Sequence, residues 1–248
     1  LLAYRLLKFL CKFYYETPLA QIKEKKMKKT LLTFIAFFSL VLSQEYNIED
    51  LLEQDGVFIK KFSDAEVNGK VYLMYGDTKV YLGKMKKGKQ DGTWIEWYEN
   101  GFKRSKTVYL KGLINGKREW WSEYGKMDSS GTYKDGKLNG KWTTWHENGQ
   151  KKIEGTYKDG KEIRIIQWEY YENGQKESEE NYKDGKEDGL FTEWYENGQK
   201  IREVTYKNEK KDGLSTYWYE NGQKQWEATF KDGEQIEATD WDEDGTKR

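Results

Sequence analysis

Cysteine occurs once in the 248 residues, at Cys11, and histidine once, at His146. A lone cysteine excludes an intrachain disulfide. A lone histidine with no second imidazole or thiol beside it excludes the usual zinc ligand sets, so no metal site is expected. No Ser-His-Asp set can be built except around His146, and no glycine-rich phosphate loop is followed by a lysine. Neither a catalytic residue nor a cofactor is therefore assigned, and the chain reads as a non-enzyme. An excess of charge is missing too. Residues 1–43 hold eight Lys or Arg against two Asp or Glu, which leaves 35 basic and 41 acidic residues in 44–248, a net of −6. Such a surface is not drawn to nucleic acid, whose affinity for proteins rests on phosphate neutralisation.

Hydrophobic residues make up only 36% of the chain and charged residues 35%, a balance that by itself suggests disorder. Aromatic residues at 16% oppose that reading. All eleven tryptophans lie between Trp94 and Trp241, so the apolar surface is concentrated in a few large side chains.

The N-terminal part reads differently. Met27-Lys28-Lys29 leads into an apolar run from Leu31 to Leu42, with Val41 and Ser43 placed for cleavage before Gln44. That is the form of a secretory signal, read here as a helical segment over 27–43. The run has twelve residues, fewer than the ~20 that span a bilayer, so a membrane anchor is the weaker reading. Residues 1–26 are expected to be an upstream extension outside the fold. The alternative is that Leu1–Leu10 forms a basic amphipathic segment that associates with membrane. Residues 44–68 are then the N-terminal segment of the exported chain.

What remains, 69–248, repeats. Glu-Asn-Gly-Gln-Lys recurs with glycines at Gly149, Gly174, Gly198 and Gly222, at intervals of 25, 24 and 24, with a looser copy at Gly101 and a degraded one at Gly125. A second turn series, in Lys-Asp-Gly-Lys-like contexts, includes Gly136, Gly160, Gly185 and Gly233, with Glu209 substituting once. A fixed period near 24 marks a repeat array in which each unit buries apolar surface against its neighbours. Both Asn-Gly and Asp-Gly are hairpin signals, read here as type I′ turns. Two strands per repeat follow, in up-and-down order.

Stacking the units puts Trp97, Trp121, Trp145, Trp194 and Trp218 in one column and Tyr109, Tyr133, Tyr157, Tyr182, Tyr206 and Phe230 in another. These columns are expected to be cross-strand ladders forming the core. A glycine opening each unit (Gly69, Gly92, Gly116, Gly140, Gly189, Gly213) is expected to leave room beside a ring. The unit at 164–188 lacks that glycine, has an extra residue and carries Trp168 out of register, which predicts a bulge or bend. Glu154, Glu179, Glu203 and Glu227 form a column flanked by lysines. Asp240–Gly245 reads as a last, degraded turn. His146 stands where other repeats carry Tyr98, Tyr195 or Tyr219, as a substituted wall residue.

The series Trp-Tyr-Glu-Asn-Gly-Gln-Lys, then Tyr-Lys-Asp-Gly-Lys, closely resembles the MORN repeat variant of bacterial proteins, many of them labelled antitoxin components of YwqK type. The resemblance covers about residues 69–248. It implies an all-β fold, an elongated antiparallel meander of tandem hairpins. The function expected is an exported, non-catalytic scaffold with a protein partner. The alternatives are an envelope glycan-binding module, lipid association, suggested by the family's historic name, or an antitoxin if the signal segment is unused.

Overall fold

The structure, a computed structural model, describes residues 44–248. The expected extension at 1–26 and the signal segment at 27–43, with its helix, lie outside the described residues. Nearly everything within them is strand. An N-terminal part holds β1 (Glu45–Asn47), β2 (Leu51–Gln54), β3 (Val57–Lys60), β4 (Gly69–Tyr75), β5 (Thr78–Lys86) and β6 (Lys89–Gln90). The meander follows: β7 (Gly92–Trp97), β8 (Lys103–Leu110), β9 (Leu113–Trp121), β10 (Met127–Lys134), β11 (Lys137–Trp145), β12 (Lys151–Lys158), β13 (Lys161–Tyr170) and β14 (Lys176–Lys183). It continues through β15 (Lys186–Glu187), β16 (Gly189–Trp194), β17 (Lys200–Lys207), β18 (Lys210–Trp218), β19 (Lys224–Lys231) and β20 (Glu234–Asp240).

Strands β7 to β20 pair antiparallel in sequence order, each with the next, and β15 pairs β14 as a short flank. The terminal strands β7 and β20 do not pair with each other, so the sheet stays open. Consecutive strands pair because every connection is a tight turn. At ~4.8 Å per strand, thirteen strands extend roughly 60 Å.

The two turn types differ. At Asp159-Gly160 both residues have positive φ, 52° and 84°, as a type I′ turn requires. Glu209 is held at φ 66° in the glycine slot of that series. At Asn148-Gly149 only the glycine is positive, φ 89°, and its N–H bonds the carbonyl of His146 at 2.8 Å. This is a four-residue turn ending in a left-handed glycine, and the type I′ reading of Asn-Gly is corrected. The asparagine explains the difference: its Oδ1 accepts the N–H of Gln150 at 3.0 Å, an Asx turn that keeps Asn148 itself at negative φ. The degraded turn at the end keeps this form, with Gly245 N–H bonded to Asp242 O at 2.8 Å.

The opening glycines also act otherwise than expected. Gly116, Gly140, Gly189 and Gly213 have φ between 118° and 126°. A Cβ at each would lie 3.0–3.3 Å from the Cβ of Val108, Thr132, Asn181 or Thr205, so the space is needed by a cross-strand side chain and not by a ring. Each glycine lies in a β-bulge. In β11, Leu138 to Trp142 face Tyr133 to Gly131, two residues more than the partner strand. Where Arg164 replaces the glycine, Glu162 to Arg164 face Tyr157 to Thr156, one residue more. The irregular unit therefore has the bulge expected there, but a smaller one than its neighbours have.

The fully buried apolar residues concentrate at the N-terminal end. Leu51, Val67, Val71, Met85 and Trp94 form one cluster, with Tyr46, Ile48, Phe58, Leu82 and Tyr109 against it. Residues 44–68 thus cap the first hairpins: β1 pairs parallel with β4, and Phe58 N–H bonds Gly88 O at 2.7 Å.

Candidate functional site

Beyond the cap the sheet is one layer thick, and strand alternation gives it two faces. One carries the tyrosine column, over Thr107, Gly131, Gly155, Val204 and Ala228, all buried. The other carries the tryptophan column, beside the buried Thr143, Thr192 and Thr216. The rings themselves, Trp97, Trp121, Trp145, Trp194 and Trp218 with Tyr109, Tyr133, Tyr157, Tyr182, Tyr206 and Phe230, are only half-buried. The expectation that they form an enclosed core is corrected: small residues are buried, and the rings cover them.

Nor do rings of one column stack on each other. Members stand two strands apart, ~9.6 Å, beyond the 4.5–7 Å of aromatic contact. Lysine fills the interval. Lys176 Nζ lies 5.5 Å from the Trp194 ring centre, Lys200 5.6 Å from Trp218, and Lys224 5.5 Å from Trp241. Lys151, Lys176, Lys200 and Lys224 each also bond a glutamate three residues on, Glu154, Glu179, Glu203 or Glu227. The glutamate column is thus paired, and Lys141 across the strand pair together with Lys151 holds the Glu154 carboxyl below the usual range.

Repeats are tied by a second set of bonds that explains the pentapeptide. Tyr98 Oη donates to Trp121 O at 2.8 Å, Tyr171 to Trp194 O at 2.5 Å, and Tyr219 to Trp241 O at 3.0 Å. Asn173 Nδ2 donates to Glu196 O at 3.0 Å and Asn221 to Glu243 O at 2.9 Å. His146 occupies the tyrosine slot, with Nε2 3.5 Å from Trp168 O and its ring edge-on to Tyr170 at 5.7 Å. Tyr170 takes the tryptophan slot, opposite Lys176, while Trp168 moves to the threonine slot and donates Nε1–H to Glu179 at 2.8 Å. Among the described residues no group of three His, Asp or Glu is arranged to hold a metal ion.

A concavity on the tyrosine face spans this irregular unit and the one after it. It is a groove of about 410 Å³ lined by Glu169, Glu180, Glu187, Phe191, Glu193, Arg202 and Tyr206. Sequence reasoning missed it, because its floor comes from a change within the repeat: Glu180 stands where Gly131, Gly155 and Val204 stand elsewhere. Arg202 bonds Glu193 at 2.5 Å and lies over the Phe191 ring at 4.7 Å. Tyr182 donates to Glu180, and that bond, with burial, pushes its phenol up to about 12. The unfolded value is about 10, so folding favours the protonated form and this contribution is complete below pH ~10 and lost as pH rises towards 12. Tyr182→Phe should lower stability in urea titrations at pH ~9, with the gap to the native protein closing by pH ~12.

A search of curated proteins finds no match. The MORN repeat variant profile matches five segments, residues 90–110, 138–159, 167–184, 187–208 and 211–232. Each segment includes a hairpin turn of the Lys-Asp-Gly-Lys series or the Asn-Gly series. The unmatched hairpin between the first two has Tyr124, 74% exposed, where the asparagine belongs. With that hairpin geometry repeated from β7 to β19, the chain belongs to the MORN repeat variant family.

Proposed function

We propose that this protein is an exported, non-catalytic scaffold whose open sheet holds a protein partner. A repeat protein with a binding role is what the family implies. The observation that carries the proposal is the absence of a second layer over the described sheet, which leaves a broad face of half-exposed rings. Extended repeat surfaces distribute affinity over many contacts. The groove at Phe191 and Tyr206 adds a recess with carboxylates on that face. Export rests on the segment 27–43. N-terminal sequencing of protein purified from its host should begin at Gln44. A start at Met27 or earlier would sink export and bring the antitoxin reading forward. For the scaffold role, cross-linking in envelope fractions should join one reproducible partner to positions around Phe191 and Tyr206, and a Tyr206→Ala variant should lose it.

One feature favours the second reading, glycan binding. Tyr217 and Trp226, ring centres 5.3 Å apart, border a cleft of about 280 Å³ with Gln225. Against it, lysine ammonium groups already stand over Trp194, Trp218 and Trp241. Tryptophan fluorescence unchanged by wall fragments would remove this reading. The net charge of −6 in 44–248 disfavours anionic lipid.

A further inference from the structure

The lysines of one repeat are of two kinds. Those after the Asn-Gly turns are neutralised, each by a glutamate three residues on. Those of the other turn row are not. There Lys158 stands directly across from Lys161 and Lys183 from Lys186, and the same pairing recurs at 134/137 and 207/210. All eight are exposed. Like charges directly opposite destabilise a strand pair, so these pairs work against the fold four times in succession. Lys231 opposite Glu234 is what stability alone would select. Among the described residues, only Lys186 of the eight reaches a carboxylate, Glu209 at 4.0 Å. The acids beside this row include the turn residues Asp135, Asp159, Asp184 and Glu209; the first two accept bonds from Asn115 and Asn139, and Asp212, near Lys207, is paired with Lys231. Each Lys-Asp-Gly-Lys turn keeps a net charge of +1.

The meander sets these turns on one long edge at ~9.6 Å intervals, four pairs over ~29 Å. A ligand matching a row of eight ammonium groups, seven of them without a carboxylate partner among the described residues, carries its negative charges along a line. We propose that this edge binds a linear polyol-phosphate chain. The turns hold no aromatic residue, so they lack the stacking platforms on which single-stranded nucleic acid is held. This surface is separate from the sheet faces, and the proposal does not depend on a protein partner.

The test uses the full chain and a fluorescently labelled glycerol-phosphate polymer, read by polarisation. Contact with about four phosphates should give saturable binding that weakens ~50-fold between ~50 and ~200 mM salt. Replacing Lys134, Lys137, Lys158 and Lys161 with Gln should weaken binding by ~10-fold or more, and the four-fold Lys→Arg variant should keep it. Because the substitution to Gln removes repulsion, the variant should melt no lower than the native protein. Replacing Lys151, Lys176, Lys200 and Lys224 with Gln removes equal charge from the other row and should leave affinity within ~2-fold. No binding, equal loss from both variants, or equal or tighter binding of single-stranded DNA or anionic vesicles would overturn the proposal.

Discussion

Trp94→Ala should cost about 3–5 kcal/mol, the range for emptying a buried tryptophan site. Trp94 is 5% exposed and joins the cap to the array. Its indole N–H donates to Lys84 O at 3.0 Å, and its ring stands edge-on to Tyr109 at 6.5 Å. Gly83 lies beneath: a Cβ there would fall 2.6 Å from the indole, so Gly83→Ala should act like the truncation by displacing the ring. In a stacked array each repeat leans only on its neighbours, so the damage should be local. Hydrogen exchange should show residues 44–88 losing protection while 189–240 keep theirs. Equal loss along the whole sheet would mean that the array unfolds as one unit and would contradict the nearest-neighbour account.

Gly213→Val should cost about 2–4 kcal/mol, since a β-branched residue is forced to a φ nearly reserved for glycine. The native φ is 118°, and the new Cβ would press on that of Thr205 at 3.3 Å. The chain itself indicates the remedy. Most intervals from a turn of the Lys-Asp-Gly-Lys row to the next Asn-Gly-type turn, such as Gly136 to Gly149, are 13 residues, and that one contains a bulge with two extra residues. Where Glu237 stands in the glycine slot, the bulge has one extra residue, and Gly233 to Gly245 is 12. Where Arg164 stands there, the bulge again has one, and Gly160 to Gly174 is 14. Losing one bulge residue is offset by removing or adding one strand residue, and either choice keeps the side chains on their proper faces. Gly213→Glu combined with deletion of Leu214 should therefore regain most of the melting temperature lost by Gly213→Glu alone. If the deletion lowers it further, bulge size and strand length are not coupled.

Strand order, turn positions, the slot of His146 and the displacement of Trp168 from its column were legible in the sequence because they depend on spacing alone. The enclosed core was not. Whether Trp194 is buried depends on what covers it, and among the described residues no second layer does. The lysine between successive tryptophans escaped notice because the separation of the rings, two strand widths, is a distance and not a sequence pattern. The Asn-Gly turn was misjudged because the dipeptide suits several hairpins, and the Asn148 side chain selects one. Residues 44–68 have no periodicity, so their role as a cap became visible only in contacts such as Val67 and Leu51 against Met85. The groove shared that fate: Glu180, Phe191 and Arg202 look like ordinary surface variation until the strands bring them together.

The tyrosine and asparagine bonds from each repeat to the next carry a consequence for size. A unit of the array could be excised or duplicated between equivalent glycines without refitting a second layer, because among the described residues none covers it. Such a molecule is a yardstick whose graduations are about 10 Å, two strand widths each. Whatever it gauges, evolution could change the reach without redesigning the grip.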